Sequence, residues 1–414
     1  TEKEHEDIRE QADETDAMFG ELYSWYLRNP EYRSRVQKLV QSAFAGKPED
    51  IISQSVAKAL YGEVSPYSAT RLERFAACAF AHFLQYGMKL TERVEYEFKP
   101  MDMGNVMHEA LESFAEEVRK RGMKWTELTE QERNEIADRC LDNIVADYGN
   151  TVLKSSARNE YMIERTRRIL RRTVWALQKQ LEQGEFQPEG FEVTFGGGRI
   201  DRVDIMEDQN KVYVKVIDYK TGNTSFDLVY LYHGLQLQLM IYLDGALRVE
   251  QKKYPDKEII PAGVFYYNIK DPMIQEKIDA DVEAVSAGLM KELKMNGLVQ
   301  ADPELVYRMD SSLGSIPVAF NKDGSFRKNS SVADRTQFAV LGRYVRTKIE
   351  KIRSSILEGD AEVSPYELGK KNACTYCPYM TVCGFDRRLS GYEFRRLKNF
   401  SDEELWKAFD REAE

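Results

Sequence analysis

An acidic residue and a lysine lie two positions apart in Asp218-Tyr219-Lys220, directly after an apolar run rich in valine. Because side chains alternate along a strand, Asp218 and Lys220 are expected on one face. A carboxylate suits a hard cation such as magnesium, and a neighbouring ammonium can orient a nucleophile or steady developing negative charge. Together they indicate phosphodiester hydrolysis. The triplet alone is common by chance, and its plainer interpretation is a solvated strand end.

The triplet ends the second strand of a predicted β-hairpin. The segment 191–222 alternates apolar and polar residues, is rich in Val, Ile and Tyr, and carries one polar turn at 207–210. We expect the turn to be centred between Asp208 and Gln209. This centre fixes which residues of the two strands share a face.

Counting paired residues outward from the predicted turn identifies a second candidate carboxylate. Asp201 is expected opposite Val216, one same-face step from Asp218, whereas Asp204 is expected to point to the other face. Parity therefore predicts Asp201 as the partner of Asp218. A β-bulge in the glycines 196–198 would shift this register and weaken the inference.

Two helical segments carry further candidates for the same chemistry. His108 and Glu112 share one face of a predicted helix, and His108 is a candidate metal ligand. Gln238 and Tyr242 are also four residues apart, and are candidates to contact the lysine, a phosphate or a nucleotide. Taken singly, each has a plainer interpretation: a structural histidine, a helix-surface amide and a core aromatic ring.

The cysteines indicate a metal site. Cys374, Cys377 and Cys383 form a C-x2-C-x5-C pattern near the C-terminus. A four-coordinate site needs a fourth ligand, and Cys78 is the candidate, whereas Cys140 is expected to be an ordinary packed cysteine. Ligand type alone does not distinguish an iron-sulfur cluster from zinc, because both accept four thiolates.

Composition bounds the protein class. The 414 residues are 42% hydrophobic and 31% charged, which is typical of a globular protein. No apolar run approaches the roughly 20 residues of a membrane span and no leader opens the chain, so we expect a cytoplasmic protein. The net charge of −10 argues against a surface that attracts nucleic acid everywhere. Local basic clusters that could contact phosphates, or form solvated faces paired with acids, are Arg165, Arg167, Arg168, Arg171 and Arg172, and Arg387, Arg388, Arg395, Arg396 and Lys398.

The motifs in combination carry a family resemblance. They are SATRLERFAACAFAHFLQYG, GNVMHEALE, GRIDRVD, IDYKTG, QLMIY and NACTYCPYMTVCGFD. From about Ala57 to the C-terminus, the chain resembles the C-terminal nuclease domain of the AddB family, whose members are subunits of helicase-nucleases that process double-strand DNA ends in many bacteria. Two departures stand out: Ala79 follows Cys78 where the family commonly has proline, and the chain has no Walker-type phosphate loop.

The resemblance implies an α/β PD-(D/E)xK fold of the RecB type and an Mg²⁺-dependent exonuclease acting on the 5′-ended single strand. It also implies DNA and an AddA-like helicase-nuclease subunit as partners. By motif position, the catalytic residues would be His108, Asp201, Asp218, Lys220, Gln238 and Tyr242, with His108, Asp201 and Asp218 on the metal. By the same matching, the ligands of a 4Fe-4S cluster would be Cys78, Cys374, Cys377 and Cys383.

We expect a mixed α/β core whose elements run helix, strand, strand, helix, strand. A turn at residues 65–70 should precede a helix with a capping box from Thr70 to Glu73, and Cys78 should lie inside that helix. The expected organisation is a helical segment at 1–60, an iron-sulfur nuclease domain at 61–400 and a tail at 401–414. Within the domain, the core covers about 100–270, a helical part 272–360 and the cysteine segment 370–390.

Three functions from different classes remain open. The first is a nuclease that cuts single-stranded DNA as it leaves a helicase. The second is a DNA-binding or scaffolding domain with a structural cluster and no activity when isolated. The third is a redox protein that uses the cluster for electron transfer. The presence together of Asp201, Asp218 and Lys220 favours the nuclease, because a silent site has no need of all three.

Overall fold

The computed structural model describes residues 2–43, 51–62, 68–91, 100–147, 156–196, 198–274 and 281–413. The architecture is mixed α/β, as the sequence predicts, with a six-stranded sheet in the order β1-β2-β3-β4-β5-β6. The strands are β1 (Gln187–Phe195), β2 (Gly198–Asp208), β3 (Lys211–Lys220), β4 (Glu258–Asn268), β5 (Asn296–Gln300), β6 (Val332–Ala333), β7 (Tyr366–Leu368), β8 (Lys371–Asn372) and β9 (Arg395–Arg396).

The described residues also form helices along the whole chain. They are α1 (Glu2–Arg28), α2 (Pro30–Ala43), α3 (Gln54–Tyr61), α4 (Ala69–Ala77), α5 (Ala79–His82), α6 (Pro100–Lys120), α7 (Glu130–Asp147), α8 (Ala157–Glu182), α9 (Leu228–Tyr232), α10 (Gln238–Lys253), α11 (Val282–Glu292), α12 (Pro303–Met309), α13 (Arg335–Glu358), α14 (Met380–Cys383) and α15 (Asp402–Ala413). Among the described residues, none of these helices combines the length and apolarity needed to cross a membrane.

Two apolar cores lie on opposite faces of the large sheet. On one face α6, α7 and α8 pack against side chains such as Met206 and Ile217. On the other, α3, α4, α10, α13 and α15 pack against Val203 and Val216. Strands β2 and β3 are therefore covered on both sides and largely buried.

The sheet extends beyond the predicted hairpin. Residues 191–195, expected within the first strand of the hairpin, belong instead to a separate strand, β1, which is antiparallel to β2. Within the part expected to be mainly helical, β5 and β6 extend the sheet beyond β4, with β6 at its edge. Strand β7, just before the cysteine segment, and β8, at its start, belong to a second sheet in the order β8-β7-β9. These strands are short or irregular, so their alternation is a weak sequence signal.

The expected C-terminal tail is a packed helix. In α15, Leu405 and Phe409 are buried against the core that contains α13. The phenol of Tyr232, next to α13, donates a hydrogen bond to Glu412. The end of the described chain therefore belongs to the folded unit.

The hairpin register differs from the predicted one by two residues. The turn is centred between Gln209, whose φ is 39°, and Asn210, so that Asp208 pairs with Lys211 and Val203 pairs with Val216. An even shift preserves the face of every side chain. Asp201 and Asp204 therefore lie on opposite faces of the sheet, as predicted, although the predicted position of the turn was wrong.

The helix before Cys78 also differs from prediction. Ser68, and not Thr70, is the N-cap of α4, and its side chain accepts from the backbone N–H of Arg71 at 3.4 Å. Cys78 does not lie inside a helix: it separates α4 from α5 with an extended φ of −165°. Residues 65–67 of the predicted turn lie outside the described residues.

Asp204 belongs to a buried ionic group on the face opposite Asp201. The Arg202 guanidinium donates to both of its carboxylate oxygens at 2.5 and 2.9 Å, and the Lys215 ammonium lies 3.1 Å away. Burial alone would raise the pKa of Asp204, but these two cations outweigh it and lower that pKa. Attraction within this group offsets the cost of burying its charges in the surrounding core.

We predict that Asp204→Ala destabilises the fold by about 3–5 kcal/mol, because it leaves two buried cations without their counter-ion. Urea denaturation followed by circular dichroism measures the change. Asp208→Ala is the matched control on the same strand, since the ion pair of Asp208 with Arg308 is partly exposed and should contribute less than about 1 kcal/mol. Equal losses in the two variants would contradict this account.

Candidate active site

The candidate site lies where the β2–β3 ladder ends. The strands pair as far as Arg202 and Ile217. One residue further, Asp201 Oδ2 accepts a hydrogen bond from the backbone N–H of Tyr219 at 2.7 Å. A side chain thus bonds the backbone just beyond the ladder, and the same register places Asp201 opposite Asp218. The two carboxylates predicted from parity are neighbours at this end of the hairpin.

A histidine and a second acid converge on Asp201. From α6, His108 Nδ1 lies 3.4 Å from Asp201 Oδ2 and 3.9 Å from Glu192 Oε1. The three side chains offer ligand atoms within 4.8 Å of one another, and are the one such group of three or more among the described residues. Glu192 also forms an ion pair with Arg199.

Glu192 is a site residue that the sequence analysis does not find. It occupies β1 with a φ of 50°, a conformation that few non-glycine residues adopt. The flanking pairs, Phe191 with Arg202 and Val193 with Ile200, put Glu192 opposite Asp201. Counting a second hairpin register between β1 and β2 would have found it, whereas the prediction included residues 191–195 in the first strand of a hairpin with a single turn.

The lysine is held by a chain of hydrogen bonds. Its ammonium lies 2.6 Å from Asp218 Oδ2 and donates to Gln238 Oε1 at 2.8 Å. The amide of Gln238 in turn donates to the hydroxyl of Tyr242 at 2.9 Å. The predicted Gln238 and Tyr242 are therefore next to the predicted Asp218 and Lys220. Asp218 is adjacent to the His108 group but does not belong to it.

A further carboxylate, that of Glu73, is hydrogen-bonded to the residues that begin helix α10. Glu73 of α4 accepts hydrogen bonds from the backbone N–H groups of Leu237 and Gln238 at 2.7 and 2.9 Å. Burial raises the pKa of Glu73 to about 7, although these hydrogen bonds and the Lys220 charge oppose the rise. The predicted role of Glu73, in a capping box of its own helix, is therefore replaced by a cap on a different helix.

Burial and repulsion by a neighbouring carboxylate raise the pKa of two acids of the site. Burial first, and then the charge of Asp201, raise the pKa of Asp218 to about 7 and that of Glu192 to about 7. Burial would lower the pKa of His108, but the hydrogen bond and charge of Asp201 more than offset it and raise that pKa. A divalent cation would relieve this repulsion, and the imidazole and carboxylate donors fit one.

The four predicted cysteines line a single apolar pocket. Its other residues are Phe80, Ala81, Val363, Pro365, Ala373, Tyr379, Met380 and Phe385. Burial, followed by the other three cysteines, raises the pKa of Cys374 to about 12. Among the described residues, no three of these sulfurs lie within 4.8 Å of one another. Four thiols gathered without an acidic or basic neighbour in the pocket fit a metal group that takes them as thiolates.

The first basic cluster is largely paired with acids. Arg167 bonds Asp142 at 2.7 Å, and Arg168 bonds Asp271 at 2.6 Å. The arginine pairs favour the interpretation of this helix as a solvated face, although ion pairs of this kind can also exchange for phosphates.

Cys140, expected as an ordinary packed residue, is buried in the first core.

Comparison with known proteins agrees with this geometry. Residues 66–384 match the family model described as the PD-(D/E)XK nuclease superfamily. Three similar curated proteins are named as the B subunit of an ATP-dependent helicase/deoxyribonuclease. That of Lachnoclostridium phytofermentans is 41% identical over 98% of this chain, that of a Thermoanaerobacter species 34% over 97%, and that of Alkaliphilus metalliredigens 34% over 99%. The chain spans 37%, 37% and 38% of their lengths. The resemblance inferred from the motifs is confirmed.

We predict that Asp201→Asn abolishes binding of Mn²⁺ or Mg²⁺ at this site, because it removes a charged ligand while keeping an oxygen for the Tyr219 N–H. Isothermal titration calorimetry of the full chain measures binding. Asp138→Asn, on the surface of α7, should bind as the wild type does. Unchanged binding by Asp201→Asn would show that the cation is held elsewhere.

Proposed function

Because the chain belongs to the PD-(D/E)XK nuclease superfamily, we propose that it is the nuclease part of a helicase-nuclease subunit and hydrolyses phosphodiesters of single-stranded DNA with Mg²⁺. The observation that carries the proposal is the convergence of His108, Glu192 and Asp201 beside the Asp218–Lys220 pair. These residues come from three strands and a helix, so their meeting is not a local accident of spacing.

Each residue has a distinct role in this proposal. His108, Glu192, Asp201 and Asp218 would hold the cation, which supplies a polarised water and neutralises charge on the phosphate. Lys220 lies beside them, and its ammonium orients the attacking oxygen or stabilises negative charge on the phosphate as it develops. Gln238 accepts from that ammonium and so limits the directions in which it can point.

The finer assignment follows the family. The substrate is single-stranded DNA from double-strand ends, cut exonucleolytically on the 5′-ended strand, and the partner is an AddA-like helicase-nuclease subunit. The similar proteins carry helicase and deoxyribonuclease in their printed name, which supports a role in such an assembly. The nuclease domain then runs from α3, whose Ala57 and Tyr61 are buried, through α15.

The four cysteines bind a 4Fe-4S cluster in this proposal. The four thiols line one apolar pocket, and their positions match the cluster ligands of the family that the motifs resemble, which supports an iron-sulfur cluster rather than zinc. The cluster would join Cys78, at the end of α4, to the C-terminal segment. Closing so long a loop restrains the unfolded chain and stabilises the folded one.

We predict that Cys78→Ser loses iron, the visible absorbance of the cluster and several degrees of melting temperature after anaerobic purification. Cys140→Ser is the control, because that thiol is buried away from the pocket and should keep all three properties. Iron analysis, absorbance and thermal denaturation measure the outcome. Stoichiometric zinc in the wild type would contradict the cluster, and an unchanged melting temperature in Cys78→Ser would contradict the stapling role.

We predict that the wild type, with Mg²⁺ and without oxygen, shortens end-labelled single-stranded DNA, and that Asp218→Asn lowers the rate at least about 100-fold by removing a charge at the cation. Asp208→Asn, at the far end of the same hairpin, should cut normally. Labels at either end give the polarity. Equal cutting by Asp218→Asn would refute the site. Binding of DNA without cutting by any variant would favour the alternative, a nuclease-fold scaffold that is inactive alone.

A further inference from the structure

Helix α10 begins without a capping side chain of its own. Its N-cap residue is Leu237, which has no polar side-chain atom to accept from the first backbone N–H groups. Such groups have no partner inside a helix and need an acceptor from elsewhere. Glu73 supplies it from α4, and one carboxylate oxygen accepts from Leu237 N at 2.7 Å and Gln238 N at 2.9 Å.

The turn that Glu73 caps carries a residue of the active site. Gln238 is the first residue of α10, and its side-chain oxygen accepts from the Lys220 ammonium at 2.8 Å. Its amide nitrogen is tied to Tyr242 at 2.9 Å, so the amide cannot rotate freely. A displacement of this first turn therefore moves the acceptor that directs the lysine toward Asp218.

The negative charge of Glu73 also stabilises the first turn of α10. A carboxylate at the N-terminus of a helix is stabilised by the exposed N–H groups and the helix dipole. Glu73 also lies close enough to Lys220 and Asp218 for their charges to influence it. The helix that carries Glu73 ends at Cys78, so the same element borders the cysteine pocket and caps the helix whose Gln238 accepts from the active-site lysine.

We propose that Glu73 is a positioning residue for phosphodiester hydrolysis, which fixes the first turn of α10 so that Gln238 holds the Lys220 ammonium against Asp218. The inference rests on the proposed nuclease function. It makes Glu73 neither a metal ligand nor a group that touches DNA. Its removal should therefore lower turnover while leaving the affinity for the substrate nearly unchanged.

The test compares the full chain with Glu73→Ala, Glu73→Gln and Asp334→Ala in single-stranded DNA cleavage. Glu73→Ala should lower kcat by roughly 10- to 100-fold, the effect of a small misplacement of a catalytic group, with KM changed little. Glu73→Gln keeps an acceptor oxygen and should retain most of the turnover. Asp334 caps α13 in the same manner, accepting from Gln337 N at 2.8 Å, so its loss should lower stability but not kcat.

A double-mutant cycle separates positioning from general support. In a Gln238→Ala background, Glu73→Ala should cost little further turnover, because the link to Lys220 is already broken. Fully additive losses, or a wild-type kcat in Glu73→Ala, would overturn the proposal. Glu73→Ser, whose shorter side chain leaves room for a water, replaces Glu73→Ala if the latter does not fold.

Hydrogen exchange distinguishes this proposal from the nuclease assignment. Glu73→Ala should speed exchange in the first turn of α10, residues 237–241, whether or not any form cuts DNA. Unchanged exchange there would overturn the positioning role even if the wild type is active. Faster exchange together with an inactive wild type would instead refute the nuclease function, and with it the catalytic part of the proposal.

Discussion

Repulsion among buried carboxylates is the constraint on which the rest of the site depends. Burial withholds water from Asp218 and Glu192, and the charge of Asp201 adds to this effect, so that the pKa of each is raised. The Lys220 ammonium favours the anionic form of Asp218, and a divalent cation would favour it for both carboxylates. The chemistry of phosphodiester hydrolysis needs the same arrangement, so one electrostatic problem links stability and function.

The fold keeps these acids together through its backbone. Asp201 is tied to the Tyr219 N–H at the end of the ladder, and Glu192 faces it from β1. On the opposite face, the Asp204 carboxylate pairs with two buried cations, Arg202 and Lys215. Helix α10 faces the site with its N-terminus, where Gln238 meets Lys220. Strand order, helix direction and side-chain pairing therefore point to one location.

Sequence reasoning finds the residues whose signals are local. It finds Asp201 although the turn is misplaced, because a shift of two residues leaves parity unchanged. It does not find Glu192, because the prediction counts a register only across the turn at 207–210 and none between β1 and β2. Strands β5 and β6 are too short to show a period, and the cap that Glu73 gives to α10 joins residues 164 and 165 positions apart. Contacts of this kind depend on tertiary packing and leave no pattern along the chain.

Anomalous diffraction from crystals of the full chain soaked in Mn²⁺ tests the central claim most directly, because it locates the cation without relying on turnover. The account predicts an anomalous peak at the open end of the β2–β3 hairpin, bonded to Asp201 and to His108 or Glu192 at about 2.1 Å. A chain that takes up Mn²⁺ only at other places, with these side chains bonded to one another as before, would contradict it.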